Sequence, residues 1–355
     1  MMIKLGNKKI GINQDVYIVF EAGPTHYGLK SALKLIELAA QAKADAIKFQ
    51  LCDHNRLITT KDVMFSYDIL VNKKKNISRT IVEPLIEIWK RRFLPKNDWK
   101  KLKQKCNQVG IDFFATVFFI EDIEILKSIG VNSFKIASQD IKFKELIKEC
   151  AKTKLPVQID TGNATLADIE TAVEWIKSQN NKKIIINHCP SGYPARFESV
   201  NLNIIKTLKQ MFNYPIAFSD HSIGWEMDIA ARSLGADIIE KTITLDRTIR
   251  SCEHIMSLEF EDMRKFVNSM RNLDIAFGKN RKSISKAEEK KKIGVTRSAY
   301  LIKSVKKNKR IERKDFDFRR PGNGVIKPYN FEYFLGRKYS CDLNIGQLIT
   351  GKHIY

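Results

Sequence analysis

Apolar and polar positions along this chain fall into repeating blocks. A short apolar run of strand-forming residues ends in clustered polar ones, and a stretch with helical spacing follows. Val16-Tyr17-Ile18-Val19-Phe20 is such a run, closed by Glu21-Ala22-Gly23-Pro24-Thr25-His26-Tyr27-Gly28. The next helix carries Leu33, Leu35, Ile36, Leu38 and Ala39 on its apolar face, and Asp45–Gln50 is the second strand. Residues 52–80 show no clear period and read as a long excursion, of the kind that is usually functional or mobile. Residues 82–108 read as helical, interrupted by Pro95.

The alternation is regular from there on. Strands are predicted at Phe113–Thr116, Ser133–Ser138, Pro156–Asp160, Ile184–His188, Ile216–Phe218 and Asp237–Lys241. Helices are predicted at Ile123–Ile129, Phe143–Lys152, Leu166–Ser178, Asn203–Phe212, Trp225–Leu234 and Phe260–Phe277. Eight strands, each followed by helix, favour a closed (β/α)8 barrel over an open sheet. The barrel is expected over residues 1–280 and a charged linker over 281–294. Residues 295–355 hold the strand Ala299–Ile302, the turn Pro321–Gly324 and short apolar pieces at 343–349, which predict a small β-rich domain. About 60 residues are marginal as an independent fold, so this domain is expected to dock on something.

Composition narrows the class. A chain of 355 residues accommodates one barrel of roughly 250 residues and a small second domain. No apolar run reaches the roughly 18 residues of a membrane span, and the start, Met1 to Lys8, lacks an apolar signal core. A cytoplasmic protein is expected. Six widely spaced cysteines, none in a CxxC pair, predict free thiols. The net charge of +22 raises nucleic acid as a partner, but the lysines are spread along helical stretches and no nucleic-acid motif accompanies them. The expectation is solvated helix faces, no nucleic acid, and a field that draws anionic substrates. Trp89, Trp99, Trp175 and Trp225 lie in helical stretches and read as packing.

The candidate chemistry sits at the strand ends. Phe218-Ser219-Asp220-His221-Ser222 and Ile238-Ile239-Glu240-Lys241 are strand ends separated by one helix, a βαβ unit. The remaining strands end at Glu21 and His26, Lys48 and Gln50, Thr116, Lys135 and Ser138, Asp160 and Thr161, and His188, Ser191 and Tyr193. Folding alone does not require polar strand ends, so their recurrence points to a polar cavity at one face of the barrel. Lys48 and Lys135 would lie on buried strands, where an ammonium is costly unless paired. A phosphorylated or carboxylated ligand is expected to pair them. His221 is a candidate ligand of a divalent metal, with Glu21 or Glu240 completing the shell, or else a structural hydrogen-bond partner of Asp220.

Glu21–Gly28, Lys48-Phe49-Gln50, Phe134–Ser138, Asn187–Pro194, Ser219–Ser222 and Ile239-Glu240-Lys241, in this order, resemble the successive motifs of the sialic acid synthase family. Arg320-Pro321-Gly322-Asn323-Gly324 resembles the signature of that family's antifreeze-like (SAF) domain. The resemblance implies a barrel followed by an SAF domain. It also implies condensation of phosphoenolpyruvate with the open-chain aldehyde of an N-acetylated hexosamine, yielding a nine-carbon 2-keto acid and phosphate. By resemblance Lys48, Thr116, Lys135, Ser138, Ser191 and Tyr193 hold phosphoenolpyruvate, and Gln50 is a further substrate-binding residue. Glu21 and Asp140 match acidic positions facing the sugar and the reacting centre, Asp140 standing where the family usually has glutamate. With Lys135 and His221 they form the implied catalytic set. Glu253 matches an acidic position that contacts the sugar. Arg320 matches an arginine that reaches into the partner's barrel, which implies a homodimer with the SAF domain as a cap. A divalent ion, manganese or magnesium, is the implied cofactor.

The chain departs from the family pattern where Glu-Lys-His is usual: it has Glu240-Lys241-Thr242, followed by Ser251-Cys252-Glu253-His254 in place of Gly-Pro-Asp. Three arrangements are open. His221 binds metal with Glu240 and water, His254 replaces the missing histidine, or metal use is lost. For the function too, alternatives stand beside an N-acetylmannosamine-type acceptor: a legionaminic or pseudaminic kind of synthase, or a sugar-binding homologue without catalysis.

Overall fold

Eight parallel strands close on themselves in chain order. They are β1 (Tyr17–Glu21), β2 (Ala46–Leu51), β3 (Asp112–Val117), β4 (Ser133–Ile136), β5 (Val157–Asp160), β6 (Ile184–His188), β7 (Ile216–Asp220) and β8 (Ile238–Thr242). The seam is made by β8 against β1, with Glu240 opposite Val19 and Thr242 opposite Glu21. The computed structural model describes all residues, 1–355, which divide into two units, Met1–Gly278 and Lys279–Tyr355.

Side chains alternate across each strand, so residues two apart share a face. On one face Ile18, Phe20, Ile47, Phe49, Phe113, Ile159, Ile186, Phe218 and Ile239 are buried together with the apolar faces of the surrounding helices. On the other face Tyr17, Val19, Ala46, Phe114, Ile185, Ala217 and Ile238 form an apolar floor, sealed by Ile3, Leu5 and Ile10. Those three come from an amino-terminal hairpin, Ile3–Leu5 paired with Lys8–Ile10, which the sequence pattern did not reveal. Two residues further along the same strands the inward face turns polar, at Glu21, Lys48, Thr116, Lys135, Ser219 and Glu240, all buried.

The helices begin and end where local chemistry directs. Lys96–Val109 starts after Pro95 and ends at Gly110 in the left-handed region (φ 73°), as proline and glycine favour. Leu166–Lys177 opens on a capping box between Thr165 and Asp168. Two expectations need correction. Residues 52–80 are not an irregular excursion, because Met64–Asn72 and Ile77–Pro84 form an antiparallel hairpin. Tyr67 and Ile69 of that hairpin pack on Ile88 and Cys252. The stretch read as a linker contains a helix, Lys286–Val295, with its own capping box between Ser285 and Glu288.

In the second unit Ser298–Leu301 pairs antiparallel with Phe316–Arg319. The rest is held by isolated bridges, among them Val305 with Leu343 and Tyr339 with Ile354. Its own small core gathers Ala299, Leu301, Ile311, Phe316, Ile326, Tyr339 and Ile349. No helix of the protein is long and apolar enough to cross a membrane, and all six cysteines are unpaired.

The floor gives a first test. Leu5 is fully buried in it, so Leu5→Ala is expected to lower the unfolding free energy by about 2–5 kcal/mol in a urea titration. A loss under about 0.5 kcal/mol, the level of an ordinary surface substitution, would mean the hairpin does not seal the barrel in solution.

Candidate active site

The polar layer above the floor opens into a cavity of roughly 130 Å³ at the carboxyl ends of the strands. Its centre is Glu240. One carboxylate oxygen, Oε1, accepts from Lys48 Nζ at 2.7 Å, Lys135 Nζ at 2.6 Å and Ser219 Oγ at 2.9 Å. Lys48 also meets Glu21 at 2.7 Å, and Lys135 meets Asp160 at 3.0 Å. Glu21 in turn accepts from Gln50 at 3.1 Å and from the Gly23 amide at 2.6 Å.

This network sets the charge states. Burial alone would lower the pKa of Lys48, but Glu21 and Glu240 outweigh it and hold the ammonium well above its ordinary range. Burial would raise Glu240, and Lys135 and Lys48 reverse that and keep it ionised. The expectation that a ligand pairs the two lysines is therefore corrected: the chain's own carboxylates already pair them.

Of the residues singled out in the sequence, Glu21, Lys48, Gln50, Thr116, Lys135, Ser138, Tyr193, His221, Glu240 and Glu253 line this one cavity. Ser138 takes the Gly162 amide at 3.1 Å. A Cβ on Gly162 would stand 2.7 Å from the Ser138 hydroxyl, so only glycine lets this loop approach so closely. The Tyr193 ring packs tilted against His221, ring centres 4.8 Å apart. His221 Nδ1 lies 3.3 Å from the Pro190 carbonyl, and burial lowers its pKa, which favours the neutral ring.

Four expected residues are not in the cavity wall. Ser191 is exposed and lines a separate depression with Thr161, Asn163 and Thr207. Asp140 lies just beyond Ser138 and Gln139 in a short 3-10 turn, and its Oδ2 is buried without a partner. Arg320 belongs to the second unit and is exposed there. His254 is buried, its Nδ1 2.8 Å from the Thr244 hydroxyl.

The expected metal ligands therefore do not assemble. No group of three or more His, Cys, Asp or Glu side chains is placed to hold an ion. Glu240 Oε1 is occupied by two ammonium groups and a hydroxyl, which leaves only its Oε2, buried without a partner, and His254 stands outside the cavity wall. His221 is the one imidazole on the cavity wall, and a single imidazole is a poor protein donor set for a divalent ion.

Sequence reasoning missed four wall residues, one of them Gln139, next to Ser138. Arg92 and Trp89 come from the helix Leu85–Arg91 and its end, and Phe118 follows β3. Trp89, expected to be packing, meets Phe118 edge-on at 5.4 Å on the cavity wall. Arg92 is buried and lies 3.4 Å from Glu253. Glu253 sits in the left-handed region (φ 81°), a strain on the order of 1–3 kcal/mol for a non-glycine residue. Burial pushes its carboxyl up to about 7, against the pull of Arg92. The Lys-Arg-Arg run, Lys90 to Arg92, reads as a solvated helix end, and nothing in the sequence marks its last member as buried.

Two family models match the chain: the NeuB family over residues 35–282 and the SAF domain over residues 296–354. An N,N'-diacetyllegionaminic acid synthase of Legionella pneumophila is 31% identical over 98% of this chain and 97% of its own length. A pseudaminic acid synthase of Campylobacter jejuni is 31% identical over 98% of each chain. Among solved structures, the N-acetylneuraminic acid (sialic acid) synthetase of Leptospira borgpetersenii, in complex with citrate, is 34% identical with a TM-score of 0.70. That match covers 82% of this chain and 95% of the other.

Two outcomes follow from the geometry. Protein dialysed against metal-free buffer is expected to retain far less than one manganese per chain by elemental analysis. Tightly held stoichiometric manganese, lost in His221→Ala or His254→Ala, would contradict the ligand geometry. Burial pushes Asp140 up to about 6, so the folded chain binds its proton more tightly than the unfolded chain. The cost of ionising it is absent below pH 4, grows between pH 4 and 6 and is complete above. Asp140→Asn is expected to stabilise the protein by up to about 2 kcal/mol at pH 7.5 and not at pH 3.5 in thermal melts. An equal effect at both pH values would remove the buried carboxylate as its cause.

Proposed function

The chain belongs to the NeuB family, with a SAF domain at its carboxyl end, and we propose that it is a nonulosonic acid synthase that condenses phosphoenolpyruvate with an open-chain N-acetylated amino sugar. One observation carries the reading: two buried lysines and two hydroxyl residues share a cavity with carboxylates at the mouth of the barrel. Phosphoenolpyruvate bears a carboxylate and a phosphate, which ammonium and hydroxyl groups recognise through charge-assisted hydrogen bonds.

Lys48, Lys135, Thr116 and Ser138 hold the donor. Tyr193 joins them on the same wall, and Glu21, Gln50 and Glu253 face the acceptor. C3 of the enol attacks the aldehyde carbon, and the carbonyl electron pair becomes an alkoxide that takes a proton. Water adds to the cation left at C2, and the C–O bond to phosphate breaks as the 2-keto group forms. At roughly 130 Å³ the cavity is below the 300–1,000 Å³ of common ligand sites, and it must widen at its outer end to take the sugar.

Two relatives named for diacetylated acids favour a second acceptor class, a di-N-acetylated trideoxy sugar of the legionaminic kind. The match of Arg320 to the SAF signature is the ground for a homodimer in which one chain's SAF domain completes the barrel site of the other.

Phosphate release from phosphoenolpyruvate with a panel of amino sugars, with and without chelator, tests the reading. Release that requires an N-acetylated sugar is expected. Lys135→Gln is expected to cut kcat/KM for phosphoenolpyruvate about 100-fold, roughly 3 kcal/mol, with circular dichroism unchanged. Saturable sugar binding without release would leave a sugar-binding homologue instead, and full activity in a sedimenting monomer would remove the dimeric site.

A further inference from the structure

Arg92 is a buried guanidinium that its own protein does not satisfy. A carboxylate that fully engages arginine accepts two parallel bonds of about 2.7–2.9 Å. Arg92 makes a looser contact of 3.4 Å with Glu253 and a weak one with the Cys252 thiol, and its Nε has no partner. Both residues are more than nine-tenths buried and line the same cavity. The backbone of Glu253, at φ 81°, is held in a conformation that glycine would adopt more readily. Trp89 and Phe118 form an apolar corner beside the pair, and the Arg92 guanidinium lies 5.3 Å from the Trp89 ring.

A ligand group that completes this corner needs an acceptor for Arg92, a donor for Glu253 and an apolar end for the aromatic rings. An acetamido group carries all three: a carbonyl oxygen, an N–H and a methyl. A phosphate supplies only acceptors and would leave Glu253 without a donor and the aromatic corner unfilled. A hydroxymethyl group leaves the aromatic corner unfilled.

We propose that Arg92 and Glu253 form a clamp for an acetamido group of the acceptor, so that this site selects N-acetylated, non-phosphorylated sugars. The inference rests on the synthase reading and deepens it.

The test is steady-state phosphate release by the full chain, varying phosphoenolpyruvate and sugar separately. The acceptors are N-acetylmannosamine, its 6-phosphate, mannosamine and a 2,4-diacetamido-trideoxy hexose. Arg92→Lys keeps the charge and loses the fork. It is expected to raise the KM of the best acetamido acceptor at least 10-fold and leave the KM of phosphoenolpyruvate within 2-fold. Glu253→Gln, which removes the charge at nearly constant shape, is expected to narrow the discrimination against the 6-phosphate. Saturation-transfer NMR on the acetamido methyl adds a readout independent of turnover: strong saturation in the wild type and loss in Arg92→Met, with unchanged melting curves. A shift confined to the KM of phosphoenolpyruvate in Arg92→Lys would reassign Arg92 to the donor and overturn the clamp. Equal use of mannosamine and N-acetylmannosamine would overturn it too, while leaving the synthase reading intact. Failure of the wild type to release phosphate with every sugar overturns both.

Discussion

A single carboxylate oxygen organises the mouth of this barrel. Glu240 Oε1 binds two ammonium groups and a hydroxyl at once, and through them it ties β8 to β2, β4 and β7. Such buried ion pairs are weak evidence for stability, because desolvation offsets much of their attraction. Their effect here is positional. Lysine is a flexible stem, and two carboxylates on each ammonium fix where its remaining donors point. An ammonium has three donors. Lys48 engages Glu21 and Glu240 and keeps one N–H for a ligand. Lys135 has all three engaged, the longest at 3.3 Å to Ser219, so the serine is the partner a donor oxygen would displace.

The neighbouring residue shows how one motif divides into chemistry and scaffold. Glu240 faces into the barrel, so the alternation of the strand turns Lys241 outward. There its ammonium binds Asp220 and the Ser222 carbonyl, and lies 3.4 Å from Asp228 of the helix Glu226–Ser233. Lys241 therefore joins the end of β7, the next helix and β8, and takes no part in the cavity. Thr242 is buried beside it, opposite Glu21 across the barrel seam.

The eight strands were legible because each is a buried apolar run with a polar end, and Ile184–His188 and Phe260–Phe277 match the structure residue for residue. The site was legible for a related reason: residues two apart carry the barrel interior from its apolar floor to its polar mouth. The pairing was not legible, since nothing in a strand pattern says which carboxylate meets Lys48. The hairpin at Met64–Asn72 and Ile77–Pro84 was missed because its turn contains lysines rather than a glycine, with Asn76 alone in the left-handed region. The helix ahead of Pro95 was read, but its Lys-Arg-Arg end has nothing that marks Arg92 as buried. His254 looked like a spare ligand because its distance from Glu240 in sequence hides its commitment to Thr244.

The account stands on the two lysines being positioned, through Glu240, for a small dianion. A crystal structure of the protein with phosphoenolpyruvate bound tests it most directly. The account requires donor oxygens within about 3 Å of both Nζ atoms, with Glu240 still bridging and the Lys135–Ser219 contact broken. A donor seated elsewhere, or both lysines unmoved with no oxygen of the donor in reach, would contradict it.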